Sequence, residues 1–300
     1  MSTEPTVAAE VPAQPAKPAN PLSKFFRTPA IYISLPSGGR WWPEGTIDMP
    51  DSGELPVYPL TNRDEIILRT PDALISGQGV IEVIHSCLPN IKNAWMMPSI
   101  DVDAVLIAMR IASYGHSMDF DSVCPHCKAE HTYAMDLRSM MDSVRSPDYD
   151  QAYETAGLKI LFQPQAYFDI NRTNKTTFEL TKMQQALDAL TDAADPDGLQ
   201  KISAISSQVQ KVSELTHQFL AAGTTSITLD STGEVITSKD FITEFYSKIP
   251  TQMFKDIQKA LETIQEPANM KPVPVSCQSC NGEIQLNILF DYANFFVIGS

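Results

Sequence analysis

The sequence has no run of eighteen or more apolar residues, which excludes an expected transmembrane helix and argues against membrane insertion. It has no dense Lys/Arg run either. Its 22 bases are outnumbered by 36 acids, for a formal charge of −14. Non-specific nucleic-acid affinity comes mainly from bases that neutralise phosphates, so a DNA- or RNA-binding role is disfavoured. The opening stretch MSTEPTVAAEVPAQPAKPANP lacks the basic and apolar regions of a signal peptide. The expectation is a protein made and kept in a reducing cytosol, where paired cysteines point to metal or catalysis before disulfides. Ser37-Gly38-Gly39-Arg40 lacks the Lys-Ser/Thr of a phosphate-binding loop, and no internal repeat is found.

Apolar residues, at 43%, are in the globular range, and 300 residues suffice for one large or two moderate cores. Residues 1–21 are rich in Pro and Ala and read as a flexible tail. From residue 22 to 149 the chain reads as one domain. Ile31 to Leu35 alternates like a strand, and LPVYPL follows a turn, with prolines confining strands to short or edge roles. Trp41 and Trp42 would face opposite sides if they lay in a strand, one in the core and one an exposed anchor; a loop with both partly buried is the other reading. Thr61 with Asp64, and Thr70-Pro71-Asp72, signal two helix starts. A third helix is predicted from Ser99 to Tyr114, stopped by Gly115.

Residues 150–270 read as a helical insertion with a β-hairpin. Leu180, Met183, Leu187 and Leu190 form one helical stripe. Leu199, Ile202, Ile205, Val209, Val212, Leu215 and Phe219 form a second. The break Asp195-Pro196-Asp197-Gly198 favours an antiparallel helical hairpin whose stripes are packing seams. Ile227 to Thr237 carries a hairpin signal, and helices follow over 239–248 and 251–265. Residues 271–300 hold a second cysteine pair and a C-terminal strand. The expected class is α+β, mainly helical with short hairpins.

The strongest chemical signal is CPHC at 124–127 with CQSC at 277–280. Two residues between cysteines let both sulfurs meet one ion from a tight turn, and four soft donors suit tetrahedral Zn2+. Each pair is followed by small or polar turn residues and then an alternating strand, so Cys124, Cys127, Cys277 and Cys280 are expected to form a zinc ribbon from two knuckles. The pairs lie 149 residues apart, which costs little because loop-closure entropy grows logarithmically. Four thiolates complete the coordination, so the zinc is expected to be structural. His126 or His131 could replace one ligand. CPHC also occurs as the active-site motif of thiol oxidoreductases similar to thioredoxin, but those motifs open a helix, and HTYAMDL alternates like a strand.

Other signals are bland. Cys87 reads as a buried small hydrophobe. His85, His116 and His217 lack partners in the sequence, and Asp101 and Asp103 read as complements to a helix dipole. No catalytic or organic-cofactor constellation emerges, so no enzyme activity is expected.

The ordered run LPSGGRWWPEG, PVYPLTNRDEIILRTPDALISGQGVIEVIHSCLPNIKNAWMMPSIDVDAVLIAMRIASYGHSMDF and CPHC resembles the baseplate hub proteins of T4-like contractile-tailed bacteriophages. The resemblance covers about residues 25–145, with CQSC in support; residues 150–270 carry no motif of it. It implies a non-catalytic virion protein of the tail baseplate, assembled in the host cytoplasm, whose partners are other baseplate and tail proteins, with self-association open. A tail-assembly chaperone that is not retained in the virion and a nucleic-acid-binding zinc ribbon are the alternatives.

Overall fold

The computed structural model describes residues 20–70, 76–189 and 199–286. Among them are eight α-helices and ten strands in four small antiparallel sheets, an α+β fold as expected.

In the first body, β1 (Ile31–Ser34) pairs with β2 (Glu54–Val57), Ile33 opposite Leu55. Alternation sorts the side chains: Ile33, Leu55 and Val57 turn inward, while Tyr32 faces solvent opposite Pro56. Helix α1 (Asn62–Leu68) starts with a reciprocal cap. The Asp64 amide donates to Thr61 Oγ1 at 3.3 Å, and the Thr61 amide donates to Asp64 Oδ2 at 2.8 Å. Of the second start signal, Pro71 and Asp72 lie outside the described residues. Helix α2 (Gln78–Cys87) is entered through Gly77, at φ 74°, where an added Cβ would sit 2.6 Å from Asn171 Oδ1. Helix α3 (Ser99–Tyr114) crosses the centre, buried on almost every side from Ile100 to Arg110, and ends at Gly115 with φ 88°. Its apolar faces close the core against α2, β1 and β2.

Next, β3 (Ser117–Val123) and β4 (Glu130–Asp136) form a hairpin, followed by α4 (Leu137–Met141). The second body is a four-stranded sheet in the order β5 (Tyr153–Thr155), β6 (Leu158–Phe162), β7 (Thr224–Leu229), β8 (Val235–Ile236). Helices α5 (Tyr167–Ala189), α6 (Leu199–Ala222), α7 (Lys239–Lys248) and α8 (Thr251–Gln265) complete it. Its core holds Ile160, Phe162, Ile242, Tyr246, Ile257 and Leu261. The chain entering α5 meets the chain leaving α6, through Gln163 N to Gly223 O at 2.9 Å and Gln163 Nε2 to Ala222 O at 3.0 Å, so the two helices run antiparallel. The 195–198 break and Leu190 lie outside the described residues. Of the expected seam, Val212 is 46% exposed, while Leu220, outside the stripe, is buried. Last come β9 (Val273–Ser276) and β10 (Glu283–Leu286), a second hairpin.

Trp41 and Trp42 depart from the strand reading and follow the loop reading: Trp41 ends a turn with a left-handed backbone (φ 64°), and Trp42 follows it in irregular chain. Both are partly buried, against different cores. Residues 1–19 of the expected tail and the C-terminal NFFVIGS are outside the described residues.

Candidate metal centre

The two hairpins bring four cysteine sulfurs together. Cys124, Cys127, Cys277 and Cys280 have all their Sγ atoms within 4.8 Å of one another. Cys124 Sγ lies 3.7 Å from Cys280 Sγ, and Cys127 Sγ lies 3.6 Å from Cys277 Sγ. A disulfide needs about 2.0 Å, so all four are free thiols. Metal–sulfur bonds of about 2.3 Å in a regular tetrahedron give sulfur–sulfur edges of about 3.8 Å. Two of the edges match that value and all lie within 4.8 Å, so the four sulfurs are close enough to share a single ion.

The knuckles are built alike. In the first, the Lys128 amide donates to Cys124 O (3.0 Å) and the Cys124 amide to Ala129 O (2.9 Å). In the second, the Asn281 amide donates to Cys277 O (2.9 Å) and the Cys277 amide to Gly282 O (2.8 Å). Lys128 and Asn281, each just after the second cysteine, have left-handed backbones, φ 62° and 57°. That turn aims amides at the sulfurs. The Ser279 amide reaches Cys277 Sγ at 3.4 Å. The amide of Cys127, helped by that of His126, pulls the Cys124 thiol down to about 6. Cys87, in contrast, is pushed up to about 12, first by burial, and has the character of an inert core thiol.

The third residue of each knuckle reaches across to the other hairpin. His126 Nε2 lies 3.4 Å from Glu283 O, and Ser279 Oγ lies 3.0 Å from His131 Nε2. Both histidines thus clasp the hairpins together, and neither belongs to the sulfur cluster. Gly282 permits this approach: a Cβ there would stand 2.7 Å from His126 Cδ2. Behind the sulfurs lies a small core of Tyr133, Ile284 and Leu286. The hydroxyl of Tyr133 is buried there, and among the described residues it has no hydrogen-bond partner in good geometry.

The remaining sequence candidates are structural. His85 accepts the Ala94 amide at Nε2 (3.2 Å), and burial lowers its pKa. His116 supplies a carbonyl to the Leu137 amide, and His217 meets Phe254 edge-on at 5.4 Å. Asp103 is pushed up to about 6 by burial. Asp101 does more than complement a dipole. Its carboxylate takes Ser37 N (2.8 Å), Ser37 Oγ (2.6 Å) and Trp42 Nε1 (2.9 Å), a buried junction that only the fold assembles.

A cleft of about 1110 Å³ opens between α5, α6 and α7, lined by Asp169, Arg172, Glu214, His217, Lys239 and Asp240 among others. Its charges are largely answered locally. Arg172 pairs with Asp169 at 3.8 Å, and Lys239 Nζ donates to the carbonyls of Ala221 and Thr224. None of its lining residues comes from the cysteine ribbon.

Comparison with curated proteins and with solved structures gives no match. A family model, described as T4 bacteriophage base plate protein, matches residues 43–297. The match takes in both cysteine knuckles and also residues 150–270, where the resemblance carried no motif. By this match over most of its length, the chain belongs to the T4 bacteriophage base plate protein family.

Proposed function

We propose that this protein is a structural subunit of the baseplate hub of a contractile-tailed phage, and that Cys124, Cys127, Cys277 and Cys280 hold one structural Zn2+. The observation that carries the reading is the family match over 43–297. The convergence of four sulfurs within 4.8 Å supports the metal half of it. Zinc suits four thiolates in a tetrahedron, and such a shell leaves no coordination position for water or substrate. The ion is therefore a staple, and the protein has no catalytic role. It works by presenting surfaces to neighbouring baseplate and tail proteins.

A nucleic-acid role for the ribbon is disfavoured by its charge. The four ribbon strands contain no Lys or Arg, while Asp119, Asp121, Glu130 and Glu283 are exposed on them. Such faces repel phosphate.

Mass spectrometry of purified virions tests the assignment. Reproducible peptides in fixed proportion to known baseplate proteins are expected. Absence from virions, with assembly lost on deletion of the gene, would replace the subunit reading with an assembly chaperone. Elemental analysis of the purified chain is expected to find one zinc per molecule.

A further inference from the structure

The four sulfurs are not equally accessible. Cys127 and Cys280 are exposed, whereas Cys124 and Cys277 are buried. There is one of each on each knuckle. The exposed Cys127 faces the buried Cys277 of the other knuckle at 3.6 Å, and the exposed Cys280 faces the buried Cys124 at 3.7 Å. We infer that the ribbon is a peroxide-modification site in which oxidation replaces the metal staple by two disulfides crossing between the knuckles, Cys127–Cys277 and Cys124–Cys280.

The inference rests on the zinc reading above for its starting state, and the pairs it names are those in which an exposed sulfur meets a buried sulfur of the other knuckle at 3.6 and 3.7 Å. The exposed Cys127, held as a thiolate when it ligates the ion, attacks hydrogen peroxide. An S–O bond forms, the O–O bond breaks, and the departing hydroxide takes a proton to become water. The Cys277 thiolate then attacks the sulfenic sulfur. An S–S bond forms, the S–O bond breaks, and a second hydroxide leaves as water after taking a proton. Two thiols and one peroxide thus give one disulfide and two waters, and a second peroxide does the same for Cys280 and Cys124. A Zn2+ held by these cysteines would be set free with its charge unchanged as its ligands are consumed.

Exposed thiolates are the sites where oxidants act, and the resolving partner is already in contact. Each disulfide needs the sulfurs to close from 3.6–3.7 Å to about 2.0 Å. A disulfide within one knuckle would instead free the two hairpins from each other. The cross-knuckle pairs keep residues near 124 tied to residues near 277 after the metal is gone. That suits a particle assembled in a reducing host and released into an oxidising medium.

The test uses the full chain. Its zinc is first measured; the protein is then treated with hydrogen peroxide, alkylated, denatured and digested with trypsin without reduction. Trypsin leaves both cysteines of the first knuckle on one peptide, residues 111–128, and both of the second on a peptide beginning at residue 260. The expected result is zinc release together with loss of both free peptides and gain of one joined species. Two separate peptides, each two mass units lighter, would mean pairing within knuckles and would overturn the inference, as would sulfinic or sulfonic acids without a disulfide. In Cys127→Ser the peptides are expected to remain joined through Cys124–Cys280, with Cys277 left alkylatable. A Cys277–Cys280 bond there would also overturn it. Absence of metal before oxidation sinks the zinc reading separately, and the pairing can still be read.

Discussion

Trp41 and Trp42 are neighbours in the chain and belong to different hydrophobic cores. The ring of Trp41 meets Tyr149 edge-on at 5.1 Å, against the core of the four-stranded sheet. Trp42 packs on the core around α3, and its indole nitrogen donates to buried Asp101 at 2.9 Å. Arg40, one residue earlier, adds a forked pair to Asp150 at 2.6 and 3.1 Å. Three consecutive side chains therefore fasten one body to the other. Trp42→Phe keeps an aromatic side chain but removes the N–H donor together with the five-membered part of the indole. It should lower stability by about 1.5–3 kcal/mol, the range for a hydrogen bond to a charged group, as read from urea unfolding. A loss below about 0.5 kcal/mol would mean that the indole–carboxylate bond contributes nothing.

Asp101 should impose a pH dependence of definite sign. Burial, opposed by the Ser37 and Trp42 donors, raises its carboxyl from 3.8 to about 6. The folded protein thus binds this proton more tightly than the unfolded chain does. The stabilisation is greatest below about pH 4, declines as pH rises to about 6, and is flat above that. The decline amounts to about 3 kcal/mol. Asp103 titrates in the same window, so the measurement is the difference between wild type and Asp101→Asn from pH 4 to 7. A difference that does not change with pH would refute the assignment. At pH 7 the Asn variant should itself be destabilised. Whichever way its amide turns, an N–H faces either the Ser37 amide or the Trp42 indole, and neither of these can accept.

At Gly282 the prediction concerns close approach. Gly282→Ala should weaken the ribbon by up to about 1 kcal/mol, because the new methyl displaces the exposed His126 ring and breaks its contact with Glu283. Combining it with His126→Ala should recover part of that loss. The midpoint of metal release against a competing chelator measures both effects. Equal midpoints for Gly282→Ala and wild type would sink the idea.

Metal removal should be local in its effect. The ribbon core consists of little more than Tyr133, Ile284 and Leu286 beside the cysteines, too small to hold two hairpins together unaided. Chelation, or acid sufficient to protonate the thiolates, is expected to speed hydrogen exchange in β3, β4, β9 and β10. The α3 core and the four-stranded sheet should keep their protection, since their apolar clusters contain no ligand. Uniform loss of protection would show instead that the ion holds the whole molecule together.

Local signals made much of this fold readable. The Thr61/Asp64 cap, the Gly115 stop, the alternation of Ile31 to Leu35 and the paired helices at 239–248 and 251–265 all depend on a few adjacent residues, and the structure places elements there. The cysteine spacing located the four sulfurs for the same reason. Strand β3 escaped notice because Asp119, Asp121 and Ser122 give it little β propensity; pairing with β4 holds it in place. Asp101 was read as a dipole complement because its partners, Ser37 and Trp42, lie about sixty residues away and only the fold gathers them. The exposure of Val212, one residue of an expected seam, has the same origin. Helical spacing marks a face, and what covers that face is a tertiary matter.

The separation of the two knuckles has a consequence for the order in which the molecule is made. Cys277 and Cys280 follow Cys127 by about 150 residues, which a ribosome needs about 7–30 s to add. Throughout that interval the first knuckle can offer an ion only two sulfurs. The complete site appears once everything between the pairs has been synthesised and the second body has folded closely enough to carry residue 277 back to residue 124. Tight retention of an ion there would thus report that translation has passed the second pair and that the intervening chain has reached its place, a completeness check built into the covalent sequence.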